Sequence, residues 1–182
     1  MLVYHPSNQT KMTNILEQRI KSSLKSYPDF PKKGILFRDV LTILKEPDLF
    51  NELIQKISNF DSILNSEAII AIDARGFIFG SALSLLIKKP LLFARKPGKL
   101  PGNLITNSYS LEYGTNELCL QKDGLQDFNS FCIIDDLLAT GGTAASVEKM
   151  LIEEKKKVTG LVVVVELLDL EGRKILNCPV DS

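Results

Sequence analysis

Charge of one sign is missing from this chain: across 182 residues, Lys plus Arg number 22 and Asp plus Glu number 22, for a formal net charge of zero. A protein that grips nucleic acid through its overall charge needs a basic excess. The balance argues against that class, and no nucleic-acid partner is expected. Cysteine is scarce. Cys119, Cys132 and Cys178 are odd in number and far apart, with no C-x-x-C or Cys/His spacing, which predicts free thiols in a reducing compartment and no zinc site. The only histidine, His5, sits among the first ten residues and is given no role. Long apolar runs are absent too: even Leu161 to Val165 is far too short to cross a bilayer. Met1 to Thr10 carries Pro6, Asn8 and Gln9 and lacks the apolar core of a signal peptide. A soluble, cytoplasmic protein with no membrane partner is expected. Neither G-x-x-x-x-G-K-[ST] nor G-x-G-x-x-G occurs, which removes the P-loop and the dinucleotide fingerprint.

What is present is an ordinary globular mixture, 45% hydrophobic and 24% charged, at a length that suits one domain with a substantial core. Residues 1–12 read as a loose extension and 13–182 as that domain. Ile15, Leu16, Ile20 and Leu24 stand near helical spacing within Thr13 to Lys25, with Thr13 as the N-cap. Tyr27 to Gly34 reads as an irregular, proline-stiffened loop, and a second helix is expected over Pro47 to Phe60. Then the pattern changes. Ala68 to Ile72 is a continuous apolar run stopping at Asp73, and Phe77 to Ile87 is helical. Leu91 to Ala94 is strand-like, Phe131 to Ile134 stops at Asp135 and Asp136, a helix runs over Ala144 to Lys156, and Leu161 to Val165 is the last strong strand. Continuous Ile/Val/Leu runs indicate strands covered on both faces. Their alternation with helices predicts an α/β fold with a parallel, twisted sheet flanked by helices. Ligands of such sheets bind at the carboxyl ends of the strands, near a switch in strand order.

Four segments carry chemistry. In DDLLATGGT, Asp135 to Thr143, Gly141 and Gly142 lie between an apolar strand and a helix start, flanked by Thr140 and Thr143. Glycines let backbone N–H groups turn inward, threonines add hydroxyl donors, and the helix N-terminus adds partial positive charge, which together make a phosphate site. An isolated Gly-Gly would read as a turn only; the full strand, Asp-Asp, loop, helix arrangement supplies the context such a motif requires. Asp135 and Asp136 make little sense for the phosphate itself. They suit the vicinal hydroxyls of a ribose and positive charge developing on its ring. The second segment, Asp73-Ala74-Arg75-Gly76, leaves another strand and offers a planar multi-donor group for phosphate oxygens. The third, Ala94 to Gly102, alternates Arg95, Lys96 and Lys99 with glycine and proline. It reads equally as a mobile loop that closes on an anion or as a solvated basic loop. The fourth, Ser108 to Gly114, is a strand-like stretch carrying Glu112 beside Tyr113. The carboxylate is either a proton-transfer group or a solvent-facing one.

Taken in order with YPDFPKKGILFRD (Tyr27 to Asp39) and VEL (Val165 to Leu167), these segments resemble the adenine phosphoribosyltransferase family from about Ile20 to Arg173. The cradle is shared by many phosphoribosyltransferases; the Tyr27 to Asp39 and SLEYG segments are far more specific. The resemblance implies a type I phosphoribosyltransferase fold, with a small hood over residues 13–45 and a flexible catalytic loop over 94–116. It implies conversion of adenine and 5-phosphoribosyl-1-pyrophosphate to AMP and pyrophosphate, with Mg2+ held mainly by pyrophosphate and ribose hydroxyls, in a homodimer. It places the 5′-phosphate on Ala139, Thr140, Gly141, Gly142 and Thr143, and the ribose hydroxyls on Asp135 and Asp136. Adenine falls to Leu36, Phe37, Arg38 and Leu138, and pyrophosphate to Ala74, Arg75 and Lys99. Arg95 is implied to reach a partner subunit, Tyr113 to line the substrate site, and Glu112, Lys99 and Arg75 to be catalytic. Two alternatives are a ligand-sensing regulator, which would be expected to lose the loop lysine or the base-site residues and to carry a DNA-binding segment, whereas Lys99, Arg75 and Glu112 are all present, and a transferase for another purine.

Overall fold

Continuous apolar sequence becomes continuous sheet. The computed structural model describes residues 8–111 and 114–182, with side-chain surroundings for 15–108 and 116–182. The chain divides into two compact units, residues 1–55 and 56–182.

The first unit opens on helix α1 (Asn8–Ser23), which starts inside the expected loose extension, so that Thr13 lies within the helix instead of capping it. Strands β1 (Lys25–Pro28) and β2 (Leu36–Asp39) pair antiparallel, Ser26 opposite Arg38 and Tyr27 opposite Phe37. Of the segment read as an irregular loop, Tyr27 and Pro28 end the first strand of this hairpin, and residues 29–34 are its irregular connection. Its turn is tied by Gly34 N–H donating to Asp29 Oδ1 at 2.7 Å. Phe30 meets Phe37 edge to face at 5.1 Å, and Arg38 Nη1 donates to Ser26 Oγ. Asp39 caps the 3-10 turn that follows, accepting from Leu41 N–H at 3.1 Å. Helix α2 (Pro47–Ile57) follows, stopping short of the expected Phe60, and Arg19 of α1 pairs with its Glu52 at 2.6 Å.

The second unit carries α3 (Asp61–Leu64), β3 (Ala68–Ile72), α4 (Gly76–Ile87), β4 (Leu91–Ala94), β5 (Leu104–Leu111) and β6 (Gly114–Gln121), followed by α5 (Lys122–Gln126), β7 (Ser130–Leu138), α6 (Gly142–Glu153), β8 (Lys157–Glu166) and β9 (Val180–Asp181). Five strands form one parallel sheet in the order β4-β3-β7-β8-β9. Every residue of β3 is buried, as are the first five of β7, which is what strands covered on both faces require. Phe131, Ile133, Val147, Leu151 and Leu161 anchor the core between sheet and helices. Gly80 lets α4 sit on the sheet, since a Cβ there would come within 2.7 Å of Ala71 Cβ. The three cysteines are free thiols, as expected. The Cys132 thiol is pushed up to about 12, chiefly by burial.

Two features differ from the sequence reading. Strand β7 does not stop before the two acids; pairing with β8 continues through Leu138 opposite Glu166, so Asp135 and Asp136 belong to the strand. Residues 94–116, expected as a flexible loop region with a strand-like stretch only at Ser108 to Gly114, contain all of β5 and the start of β6, a hairpin in eight-residue register. Asn107 Nδ2 donates to Ser146 Oγ at 3.0 Å and ties that hairpin to α6.

Candidate active site

Strand order reverses between β3 and β7, because the chain leaves β3 for β4 on one side and later adds β7, β8 and β9 on the other. A crevice forms at the carboxyl ends of strands at such a switch point. A cavity of about 310 Å3 lies there, lined by Asp73, Ala74 and Arg75 beyond β3 and by Asp135 to Gly141 and Thr143 around the end of β7.

The cradle is built by the backbone. Gly141 takes φ 85°, the left-handed region that glycine enters without strain, and caps α6 with no side-chain hydrogen bond to the helix. The N–H groups of the first helical turn have no intrahelical acceptor and point out of the helix end. With Thr143 beside them on the cavity wall, they have the donor arrangement that suits an anion at a helix N-terminus.

The acids beside it are strongly perturbed. Burial, reinforced by the neighbouring Asp136 charge, holds the Asp135 carboxyl well above the usual carboxylate range. Asp136 is raised by burial and pulled back by Arg75, whose Nε lies 3.0 Å from Asp136 Oδ2. The Asp136 N–H donates to Asp135 Oδ1 at 2.8 Å. A half-buried and a buried carboxylate on neighbouring residues, served by one guanidinium, offer acceptors to a polyhydroxylated ring.

Arg75 and Ala74 sit where α4 begins, after the cis Asp73–Ala74 peptide. Arg95, at the root of the basic loop, is held within its own chain. Its Nε donates to Asp73 Oδ2 at 3.1 Å, its Nη1 to the Lys99 carbonyl at 3.2 Å, and its guanidinium stacks over Phe77. Paired backbone bonds with Cys119 fix that root against β6.

Of the residues singled out from sequence, the cavity brings together Ala74, Arg75, Asp135, Asp136, Leu138, Ala139, Thr140, Gly141 and Thr143. Gly142 opens α6 directly behind them. Arg95 and Lys99 are not among the lining residues; their loop neighbour Lys96 is. Leu36, Phe37 and Arg38 lie on β2 of the first unit. Glu112 and Tyr113 lie outside the described residues. Lys96 and Asp73 are named from sequence only as members of their segments, without a site role, and Asn116 is not named at all. The first was legible as part of an Arg-Lys pair, and the second ends its strand as Asp135 was expected to end another. Asn116 reaches the cavity only because β6 folds back along β5.

A family model described as the phosphoribosyl transferase domain matches residues 39–176. The adenine phosphoribosyltransferase of Prochlorococcus marinus (strain MIT 9515) is 57% identical over 167 residues, 92% of this chain and 98% of that protein. Among solved structures, the adenine phosphoribosyltransferase of Saccharomyces cerevisiae complexed with adenine and an imino-altritol bisphosphate superposes with a TM-score of 0.86. It is 35% identical, over 93% of this chain and 98% of that one. The enzyme of Thermoanaerobacter pseudethanolicus gives 0.84 at 37% identity, over 91% and 97%. Identity at this level over nearly the whole length places the chain in the adenine phosphoribosyltransferase family.

Proposed function

We propose that this enzyme transfers the 5-phosphoribosyl group of 5-phosphoribosyl-1-pyrophosphate to adenine, giving AMP and pyrophosphate. One observation carries the reading furthest: the side-chain-free helix cap at Gly141, the acid pair and the Arg75 turn converge on a single cavity. A phosphate, a ribose and a second anion demand those three chemistries, in that order.

The C1′–O bond to pyrophosphate breaks as the purine nitrogen approaches, so positive charge builds on the ribose ring and negative charge on the leaving group. The backbone of Ala139 to Thr143 holds the 5′-phosphate, and Asp135 and Asp136 accept from the ribose hydroxyls and oppose the ring charge. Ala74, Arg75 and Lys99, with Lys96 beside them, receive pyrophosphate. We assign base recognition to Leu36, Phe37, Arg38 and Leu138, and proton transfer near the base to Glu112, with Tyr113 beside it. The cavity lining is rich in hard oxygen donors, which suits magnesium. Among the described residues no three side chains cluster as ligands, so an ion entering with the diphosphate would draw its oxygens from substrate. Magnesium, when bound, supplies further neutralisation of the leaving group.

We also propose a cytoplasmic homodimer. Among the described residues no helix is long and apolar enough to cross a membrane. The edge strand β4 and helix α4 leave Phe93 and Leu85 in contact with solvent, Leu85 at 82% exposure, and a second copy would cover them.

The test is a panel of purine bases assayed for pyrophosphate release with magnesium and phosphoribosyl pyrophosphate. Adenine is expected to turn over and hypoxanthine not at a comparable rate. Absence of turnover with every base in the panel would overturn the enzyme reading in favour of a ligand-sensing regulator, and preference for another purine would overturn the base assignment.

A further inference from the structure

The segment between β8 and β9 presses against the back of the cradle. A Cβ on Gly172 would collide with the carbonyl oxygen of Ala139 and come within 3.0 Å of Gly141 N and Thr140 C. In return, a Cβ on Gly141 would collide with the carbonyl oxygen of Gly172 and meet Ile175 Cγ1 at 3.0 Å. The two loops are packed backbone to backbone, with no room for a side chain on either. Gly141 needs glycine for its φ of 85° as well. Gly172 is not among the positive-φ glycines, so room alone explains the residue: any L-residue adopts its backbone conformation, and none fits against the cradle.

The segment is fastened at both ends to the elements that carry the cradle. Glu166, the last residue of β8, stands in register opposite Leu138, the last of β7. It accepts Arg173 Nε at 2.7 Å on Oε1 and Arg173 Nη2 on Oε2, a two-pronged pair that locks the turn containing Gly172 to the strand end. Downstream, the buried carboxylate of Glu148 on α6 accepts the backbone N–H of Cys178 at 2.7 Å and of Asn177 at 3.1 Å. The cradle has no side-chain cap to steer its N–H groups. What aims them is the surface the loop rests on.

From this packing we infer that Gly172 is a positioning residue for the 5′-phosphate, and that the Arg173–Glu166 pair holds it in place. The inference rests on the proposed cradle and adds a residue that touches no substrate. Displacing the backbone of residues 139–141 to admit one methyl group moves several N–H donors together, and each loses hydrogen-bond geometry toward the phosphate.

The full chain is titrated calorimetrically with ribose 5-phosphate and, separately, with pyrophosphate plus magnesium. Gly172→Ala is expected to raise the Kd for ribose 5-phosphate at least about tenfold and leave that for pyrophosphate within about twofold. Arg173→Lys keeps the charge, loses the fork and leaves Gly172 intact. It is expected to act the same way by about threefold or more, and it carries the test alone if Gly172→Ala does not fold. Unchanged ribose 5-phosphate affinity in the folded variants, or equal loss for both ligands, overturns the inference. Failure of the unaltered protein to bind ribose 5-phosphate overturns the cradle reading instead, and the inference with it.

Discussion

Arg75 and Asp136 are paired across the mouth of the crevice, Nε to Oδ2 at 3.0 Å, the arginine partly exposed and the aspartate buried. That Oδ2 receives no hydrogen bond among the described residues, so it depends on the charge of Arg75. The guanidinium thus supports the fold, and under the proposed function it also meets the diphosphate.

Removing it separates the two roles. Arg75→Ala is expected to destabilise the protein by about 1–3 kcal/mol, because Asp136 is left as a buried charge without a counter-charge. kcat/KM for phosphoribosyl pyrophosphate should fall by roughly 100-fold or more. Adding Asp136→Asn should restore much of the stability in thermal unfolding and none of the lost activity. Recovery of both would mean that Arg75 acts on the fold alone.

The acid pair sets a pH dependence of opposite sign to that of an ordinary ion-paired carboxylate. Burial raises Asp135 well above its usual 3.8, so the folded state holds a proton that the unfolded chain releases. Its contribution is therefore fully present below 3.8 and lost as pH rises through the raised value. Glu166, lowered by its hydrogen bond from Arg173, works the other way and loses its contribution as pH falls. Asp135→Asn keeps an acceptor for the Asp136 N–H and needs no proton. At neutral pH it should melt a few degrees higher than the unaltered chain, the shift that about 1 kcal/mol gives at this length, and the advantage should vanish toward pH 4. Identical melting curves across the range would remove Asp135 from this account.

Glu112 is tested by separating rate from affinity. Glu112→Ala is expected to lower kcat by about 100-fold or more while changing the Kd of AMP little, since a proton-transfer group acts on the reacting state. A rate within a factor of about two of the original would take it out of the mechanism.

Packing of α4 on the sheet gives a prediction independent of chemistry. Gly80→Val places a branched side chain where even a Cβ would stand 2.7 Å from Ala71 Cβ and 3.1 Å from Ile134 Cγ2. A loss of about 1–3 kcal/mol is expected in denaturant unfolding. A smaller loss would show that α4 shifts freely on β3 and β7.

The amino-acid sequence alone determined the parallel sheet, because Ala68 to Ile72 and Leu91 to Ala94 are apolar along their whole length, and they are strands with those bounds. It also determined the cradle, since Gly141 needs a left-handed conformation and a helix start within one short motif. Local residue identity is enough for both. Tertiary structure decided the rest. Asp135 and Asp136 lie inside β7 because pairing with β8 continues to Glu166, and a neighbouring strand cannot be read from local sequence. Arg95 faces Asp73, and Asn116 reaches the cavity, because the strand-like stretch expected at Ser108 to Gly114 is part of a longer hairpin over 104–121 whose pairing local sequence does not show. Gly172 shows the division most plainly. Its backbone conformation is ordinary, so nothing local marks it, and only the close approach of a distant loop to Ala139 and Gly141 explains why no side chain is there.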